Sequence, residues 1–230
     1  QTAEAILTTD RFSKTSMTSC RLSGKRVIVA GMAKGAGMIA PRMATMLAYV
    51  FTNAAVELSS LRNILVRTAD RTFNSVTVDG DTSTNDTVLL LANGSAQNRP
   101  IKKGSRDEKT LEQAVFKVMK DLAVKLVEDA EGGTKVAEIF VEGARSVDEA
   151  KRIAFSVANS KLVKTAFFGE DPNLGRIMVA IGYAGVPIHP NRVSVSIGGI
   201  RVVQRGIVTT AAEGKAAHVM RRPSFRVKLN

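Results

Sequence analysis

One cysteine, no tryptophan, two tyrosines and two histidines leave several chemistries without material. Cys20 alone can close no intramolecular disulfide and can build no thiolate zinc cluster, so a reducing compartment suits the chain and no metal is expected. No apolar run approaches bilayer length. The longest, such as Val88 to Ala92, fall far short of the roughly 20 residues of a spanning helix. The opening residues also lack the charged, apolar and small-residue succession of a signal peptide. The expectation is a soluble, cytoplasmic protein with no membrane partner. Acids are in deficit as well: 21 Asp and Glu face 33 Lys and Arg, a formal charge of +12. That surplus admits a polyanionic partner. However, the basic residues are spread along the chain beside acids, and the stacking aromatics are few, which argues against dedicated nucleic-acid binding. A small acidic substrate fits the charge equally well.

What is present suffices for a sizeable core: 230 residues, 44% of them hydrophobic, without tandem repeats or low-complexity tracts. One continuous domain is the simplest reading. From Thr110 to Glu128, Leu111, Val115, Val118, Met119, Leu122, Leu126 and Val127 recur at helical spacing. A second helix is predicted over Val56 to Thr72. A third is predicted over Val147 to Ala158, opened by a capping box from Ser146 to Glu149. Strands are predicted at Met46 to Phe51, Val76 to Val78, Val88 to Leu91, Ala137 to Val141, Leu162 to Phe168 and Val193 to Val203, with Gly198-Gly199 as a turn. Gly169 to Asn173 reads as a loop before a helix starting near Leu174. The class is mixed α/β, with antiparallel pairing suggested by the hairpin signals.

The chemistry concentrates after Gly31. Gly35 and Gly37 open backbone conformations closed to other residues, Pro41 biases Ala40 toward extended geometry, and a threonine, Thr45, stands where the loop gives way to a β-like run. Lys34-Gly-Ala-Gly37 lacks the phosphate-binding spacing of a Walker motif. Asp79, Asp81 and Asp86 lack the glycine and distal glutamate of an EF-hand loop, so loop-stabilising hydrogen bonds are the expectation for them. Glu170 and Asp171, adjacent in a proline-containing turn, are assigned no acid–base role. On local grounds alone, Lys34 reads as a solvated loop residue and Glu131 as a helix-terminal charge.

The run Lys34 to Ala48 resembles the processing motif of the ornithine acetyltransferase family, also called glutamate N-acetyltransferases. Ala3 to Asp10, Asp79 to Asp86, Glu131 to Lys135 and Lys164 to Asn173 resemble further motifs of that family, in the same order. The resemblance implies an ornithine-acetyltransferase-like fold with β-sheets packed against helices. It implies self-cleavage between Ala44 and Thr45, so that residues 1–44 end an α-chain region and 45–230 form a β-chain region of one catalytic unit. The cleaved α and β chains would stay associated and pair into a heterotetramer. Thr45 would be the catalytic nucleophile, its freed α-amino group accepting the hydroxyl proton, so neither His189 nor His218 need act as base. The implied reaction moves an acetyl group from N-acetylornithine to Thr45 and then to glutamate in arginine biosynthesis, with no cofactor consumed; acetyl-coenzyme A is a further donor in some members. Thr8, Lys34, Thr45 and Glu131 are the implied substrate contacts.

The chain departs from the family pattern in places. No match precedes Thr8 for the Thr-Gly pair assigned to the family's oxyanion hole, and none follows Leu229 for its substrate-binding tail, so the chain reads as a portion of the family's full length. Asn53 stands where Asp is typical, Leu174 where Trp is frequent, and Arg42 where an acid or Asn is usual. Two other readings are kept. One is an N-terminal-nucleophile amidohydrolase or aminopeptidase, with water as acceptor. The other is an uncleaved, inactive scaffold or basic binding protein.

Overall fold

In the computed structural model, residues 1–40, 46–82 and 85–230 are described. They bear out the mixed α/β class, but in place of one continuous domain the chain divides into two compact units, Gln1–Gly132 and Gly133–Asn230. The reason is that apolar residues on either side of Gly132-Gly133 collect into separate cores, each with its own sheet.

The first unit begins with a single helical turn, α1 (Thr2–Ala5), followed by β1 (Lys14–Leu22), β2 (Lys25–Lys34), β3 (Leu47–Thr52), α2 (Leu58–Asp70), β4 (Thr87–Ala92) and α3 (Arg106–Glu128). Its sheet has the order β1-β2-β3-β4, antiparallel except for the parallel β3–β4 pair, whose crossover contains α2. Ser23 and Gly24 both take positive φ, the conformation a two-residue hairpin turn needs between β1 and β2. The whole of this hairpin was missed in the sequence. Of the inward positions of β1 (Lys14, Ser16, Thr18, Cys20 and Leu22), only the last is a strong apolar signal.

α3 lies against the inner face of this sheet and buries the predicted stripe of Leu111, Val115, Val118, Met119, Leu122 and Leu126. It starts a turn earlier than predicted, because Ser105 Oγ accepts from Glu108 N at 3.1 Å and Glu108 Oε2 accepts from Gly104 N at 2.6 Å. That pair satisfies helix-start donors that the polar first turn would otherwise leave open. Gly31 is inside β2. A Cβ there would meet Leu122 Cδ1 at 3.0 Å, Tyr49 O at 3.1 Å and Val118 Cγ1 at 3.1 Å. The glycine lets helix and sheet approach. Val76 to Val78 form no strand; Val78 N donates to Ile39 O at 2.7 Å.

The second unit contains β5 (Val136–Val141), α4 (Val147–Asn159), α5 (Lys161–Phe168), α6 (Leu174–Gly182), β6 (Val195–Ile197), β7 (Ile200–Gln204), β8 (Ile207–Val208), α7 (Glu213–Met220) and β9 (Ser224–Leu229). Its sheet runs β5-β9-β6-β7-β8, with only β5–β9 parallel. Ser146 caps α4 by accepting from Glu149 N at 3.1 Å, and Gly198-Gly199 turns β6 into β7, both as predicted. Leu162 to Phe168 is the clear reversal: the predicted strand is helix α5. Ser160 caps it, accepting from Val163 N at 3.3 Å, and Val163, Ala166 and Phe167 bury one helical face. Tertiary packing at that spacing outweighs the β propensity of the residues. Phe167 meets Phe225 of β9 edge-on, centroids 5.1 Å apart. Among the described residues, no helix is long and apolar enough to cross a membrane.

Gly31→Ala is expected to destabilise the first unit by about 1–3 kcal/mol, the usual cost of overpacking a filled core. A lower urea midpoint with unchanged slope would bear this out; an unchanged midpoint would mean that α3 and β3 can yield freely.

Candidate functional site

The first unit brings three of the sequence-predicted site residues to one turn, the one that follows β2. Lys34, the last residue of β2, is 8% exposed rather than solvated, and its Nζ donates to Thr8 Oγ1 at 3.3 Å. Glu131 lies past the end of α3. Its backbone N–H donates to Ala36 O at 2.9 Å, and its carboxyl lies where Gly37 leaves room: a Cβ on Gly37 would stand 3.3 Å from Oε2. A cation and an anion are thus held on the same short stretch, Lys34 to Gly37, one nearly buried and one exposed. Thr45 and Ala44 lie outside the described residues.

Beneath this turn is an ion cluster that sequence reasoning missed. Lys14 Nζ, fully buried, donates to Asp10 Oδ1 at 2.6 Å and to Asp129 Oδ2 at 2.5 Å, and both carboxylates are also buried. Arg11 donates to Asp129 through its backbone N–H and through Nε, the latter at 3.0 Å, so two cations balance two anions. Asp10 reaches further. Its Oδ1 accepts from Gly35 N at 2.6 Å and its Oδ2 from Thr8 N at 3.2 Å, which ties the Thr8 loop to the turn after Lys34. Asp129 ends α3 two residues before Glu131, so the same cluster anchors Thr8, Lys34 and Glu131, three of the four predicted contacts.

Burial pushes the Asp10 carboxyl up, but the hydrogen bonds from Gly35, Lys14 and Thr8 outweigh it and hold the group below its ordinary range. Asp129 behaves alike: burial raises it, and Lys14 and Arg11 bring it down further. The only sequence signal for the cluster was Asp10 itself, inside the Leu-Thr-Thr-Asp motif.

Asp79 and Asp86, two of the three aspartates of the Asp79 to Asp86 motif, make the loop-stabilising bonds expected of them. Asp79 Oδ2 accepts from Met38 N at 2.6 Å and its Oδ1 from Ile39 N at 3.1 Å. Asp86 Oδ1 accepts from Met46 N at 2.5 Å, and Thr87 N donates to Met46 O at 3.0 Å. Within the second unit, Glu170 pairs with Lys135 at 2.8 Å, a structural tie, and His189 and His218 are both exposed. Among the described residues no group of three or more His, Cys, Asp or Glu could hold a metal ion.

Comparison with known proteins gives a consistent result. The model of the ArgJ family matches residues 1–230. The arginine biosynthesis bifunctional protein ArgJ of Desulfotalea psychrophila is 48% identical over 226 residues, 98% of this chain and 58% of that protein. Its counterpart in Geobacter sulfurreducens is 46% identical over 231 residues, 100% of this chain and 59% of that protein. The chain therefore spans somewhat under three fifths of these curated relatives. The crystal structure of the arginine biosynthesis bifunctional protein argJ from Bacillus halodurans superposes with a TM-score of 0.77 at 35% identity, covering 79% of this chain and 86% of that one.

Removing Lys14 would leave the buried Asp10 without a cation and Asp129 with Arg11 alone, so Lys14→Ala is expected to cost about 3–5 kcal/mol. The pH dependence has a definite sign. Asp10 and Asp129 have folded-state pKa values below their unfolded ones, so their stabilisation is complete above the unfolded value, near 4, and is lost as pH falls through the folded values. Denaturation titrations should show the parent's stability dropping below about pH 4, with a shallower acid limb in Lys14→Ala. Equal acid limbs in both proteins would remove the cluster from this role.

Proposed function

The chain belongs to the ArgJ family, and on that premise we propose that it carries the nucleophile and substrate-charge contacts of a self-processing glutamate N-acetyltransferase of arginine biosynthesis. The observation that supports this most is the cation–anion pair on one turn: Lys34 against Thr8, and Glu131 against Gly37. Both substrates carry carboxylate and ammonium groups. Lys34 pairs with a substrate carboxylate and Glu131 with a substrate ammonium, and charge-assisted bonds fix orientation as well as affinity. The near-burial of Lys34 strengthens its pull on an anion, because less water competes.

The chemical step belongs to Thr45. Cleavage of the Ala44–Thr45 bond frees an α-amino group that takes the proton of the Thr45 hydroxyl. The oxygen attacks the acetyl carbonyl of N-acetylornithine, the amide C–N bond breaks, and the proton passes to the departing ornithine amine. Glutamate's amine then attacks the acetyl ester, and Thr45 regains its hydroxyl. Residues 1–44 and 45–230 are then parts of separate, associated α and β chains that pair into a heterotetramer, acting in the cytoplasm. No cofactor is needed. The relatives' name, arginine biosynthesis bifunctional protein, fits acetyl-coenzyme A as a second acetyl donor at the same threonine.

Two outcomes are expected. N-terminal sequencing of active protein finds a chain starting Thr-Met-Leu-Ala; full transfer activity in a demonstrably uncleaved protein would contradict the mechanism. Lys34→Ala and Glu131→Gln each lower kcat/KM by about tenfold or more, the usual loss for a charge-assisted contact. Parental kinetics in both, at subsaturating substrate, would show that the charge pair is not the substrate site.

A further inference from the structure

Val78 and Asp79 hold the chain just before residues 41–45, and Asp86 and Thr87 hold it just after them. Upstream, Asp79 accepts from Met38 N and Ile39 N, and Val78 N donates to Ile39 O. Downstream, Asp86 Oδ1 accepts from Met46 N, and Thr87 N donates to Met46 O. Two of the three gripped residues are buried, Ile39 at 3% and Met46 at 4% exposed, whereas Met38 is 48% exposed. Asp86 adds a second feature, for its Oδ2 is buried with no hydrogen-bond partner among the described residues. Burial pushes its carboxyl up, with the Met46 bond offsetting part of that rise. A protein keeps such a group where the hydrogen bond it makes has a use.

We propose that Asp79 and Asp86 are positioning residues that separate the two reactions of Thr45: Asp79 holds the upstream flank and serves self-cleavage alone, whereas Asp86 holds the downstream flank and serves both cleavage and acetyl transfer. The inference rests on the reading of Thr45 as nucleophile. In cleavage, Thr45 Oγ attacks the Ala44 carbonyl carbon and the Ala44–Thr45 C–N bond breaks. The nitrogen takes the proton that Oγ gives up, and water hydrolyses the resulting ester to restore the hydroxyl and leave an Ala44 carboxylate. Electrophile and nucleophile stand on opposite sides of the scissile bond, so both flanks must be fixed for attack to be frequent. Once the bond is cut, the upstream flank has no covalent link to Thr45, and its grip ceases to matter. Met46 N belongs to the peptide group that joins it to Thr45 in either state, so the Asp86 bond continues to orient the nucleophile during transfer.

The test is made in the full-length protein, following appearance of the chain that starts at Thr45 and then the turnover of isolated cleaved molecules. Asp79→Ala is expected to slow cleavage by about tenfold or more, yet, once cleaved, to transfer acetyl with kcat and KM within about threefold of the parent. Asp86→Ala is expected to slow cleavage similarly and, once cleaved, to lower kcat by about tenfold with KM within about threefold. Asp86→Asn keeps an acceptor oxygen for Met46 N and should recover most of both rates. Asp79→Asn, left with one acceptor oxygen for the three N–H groups of Met38, Ile39 and Asp81, should cleave at an intermediate rate and transfer normally. A cooperative thermal transition certifies folding. If Asp79→Ala does not fold, Asp79→Asn decides its arm. If Asp86→Ala does not fold, Asp86→Glu, whose longer side chain displaces the acceptor, replaces it with the same expectation. Parental cleavage in the Asp79 variants, or equal loss of kcat in cleaved Asp79 and Asp86 variants, would overturn the separation. So would an Asp86→Asn protein as slow as Asp86→Ala. Thr45→Ala is run alongside: normal turnover there sinks the nucleophile reading, while an inactive Thr45→Ala beside parental aspartate variants sinks this inference alone.

Discussion

A single buried ammonium organises the first unit's site. Lys14 has no access to water, and its charge is stable there only because Asp10 and Asp129 are drawn in to meet it. Each carboxylate then has oxygen capacity to spare. Asp10 uses it on Gly35 and Thr8, and Asp129 on Arg11. Three stretches far apart in sequence, at residues 8–14, 34–37 and 129–131, are thereby fixed to one another. Thr8, Lys34 and Glu131 are carried by these stretches, so the placement of the charge pair follows from satisfying one lysine. Replacing such a cluster with apolar residues often costs little stability. Its value here is the geometry it imposes on a loop that no regular strand or helix supports.

Much of this was legible in the sequence, but unevenly. The α3 stripe showed because seven apolar residues repeat at helical spacing, and the Ser146–Glu149 cap because its spacing is itself the interaction. β1 was hidden by polar inward residues, the same circumstance that buries Lys14. α5 was misread because Val163, Phe167 and Phe168 have strand-like side chains, whereas the Ser160 cap and the burial of Val163, Ala166 and Phe167 on one helical face favour the helix. The three charge and hydroxyl contacts came from motif resemblance, since nothing local distinguishes Lys34 from a solvated lysine. Its burial is a property of the end of β2 within the folded sheet.

The Asp79 and Asp86 bonds show a different limit. An aspartate in a turn is expected to hydrogen-bond backbone nearby, and Asp79 does accept from Asp81 N at 3.1 Å. The bonds to Met38, Ile39 and Met46 instead cross between two loops about 40 residues apart in sequence. Residue type alone cannot say that the loops meet. With the partners known, the motif becomes a grip on either side of residues 41–45, the segment proposed to be cleaved, and its hydrogen bonds become part of the proposed account of reactivity.

The account stands on Thr45 as the acetyl-carrying residue, and one mass spectrum addresses it. Full-length protein is exposed briefly to N-acetylornithine without glutamate, quenched in acid and digested. The account predicts one added acetyl group on the peptide that begins at Thr45, discharged when glutamate is supplied before quenching. An acetyl group on any other residue, or turnover with no adduct under conditions that preserve esters, would contradict it.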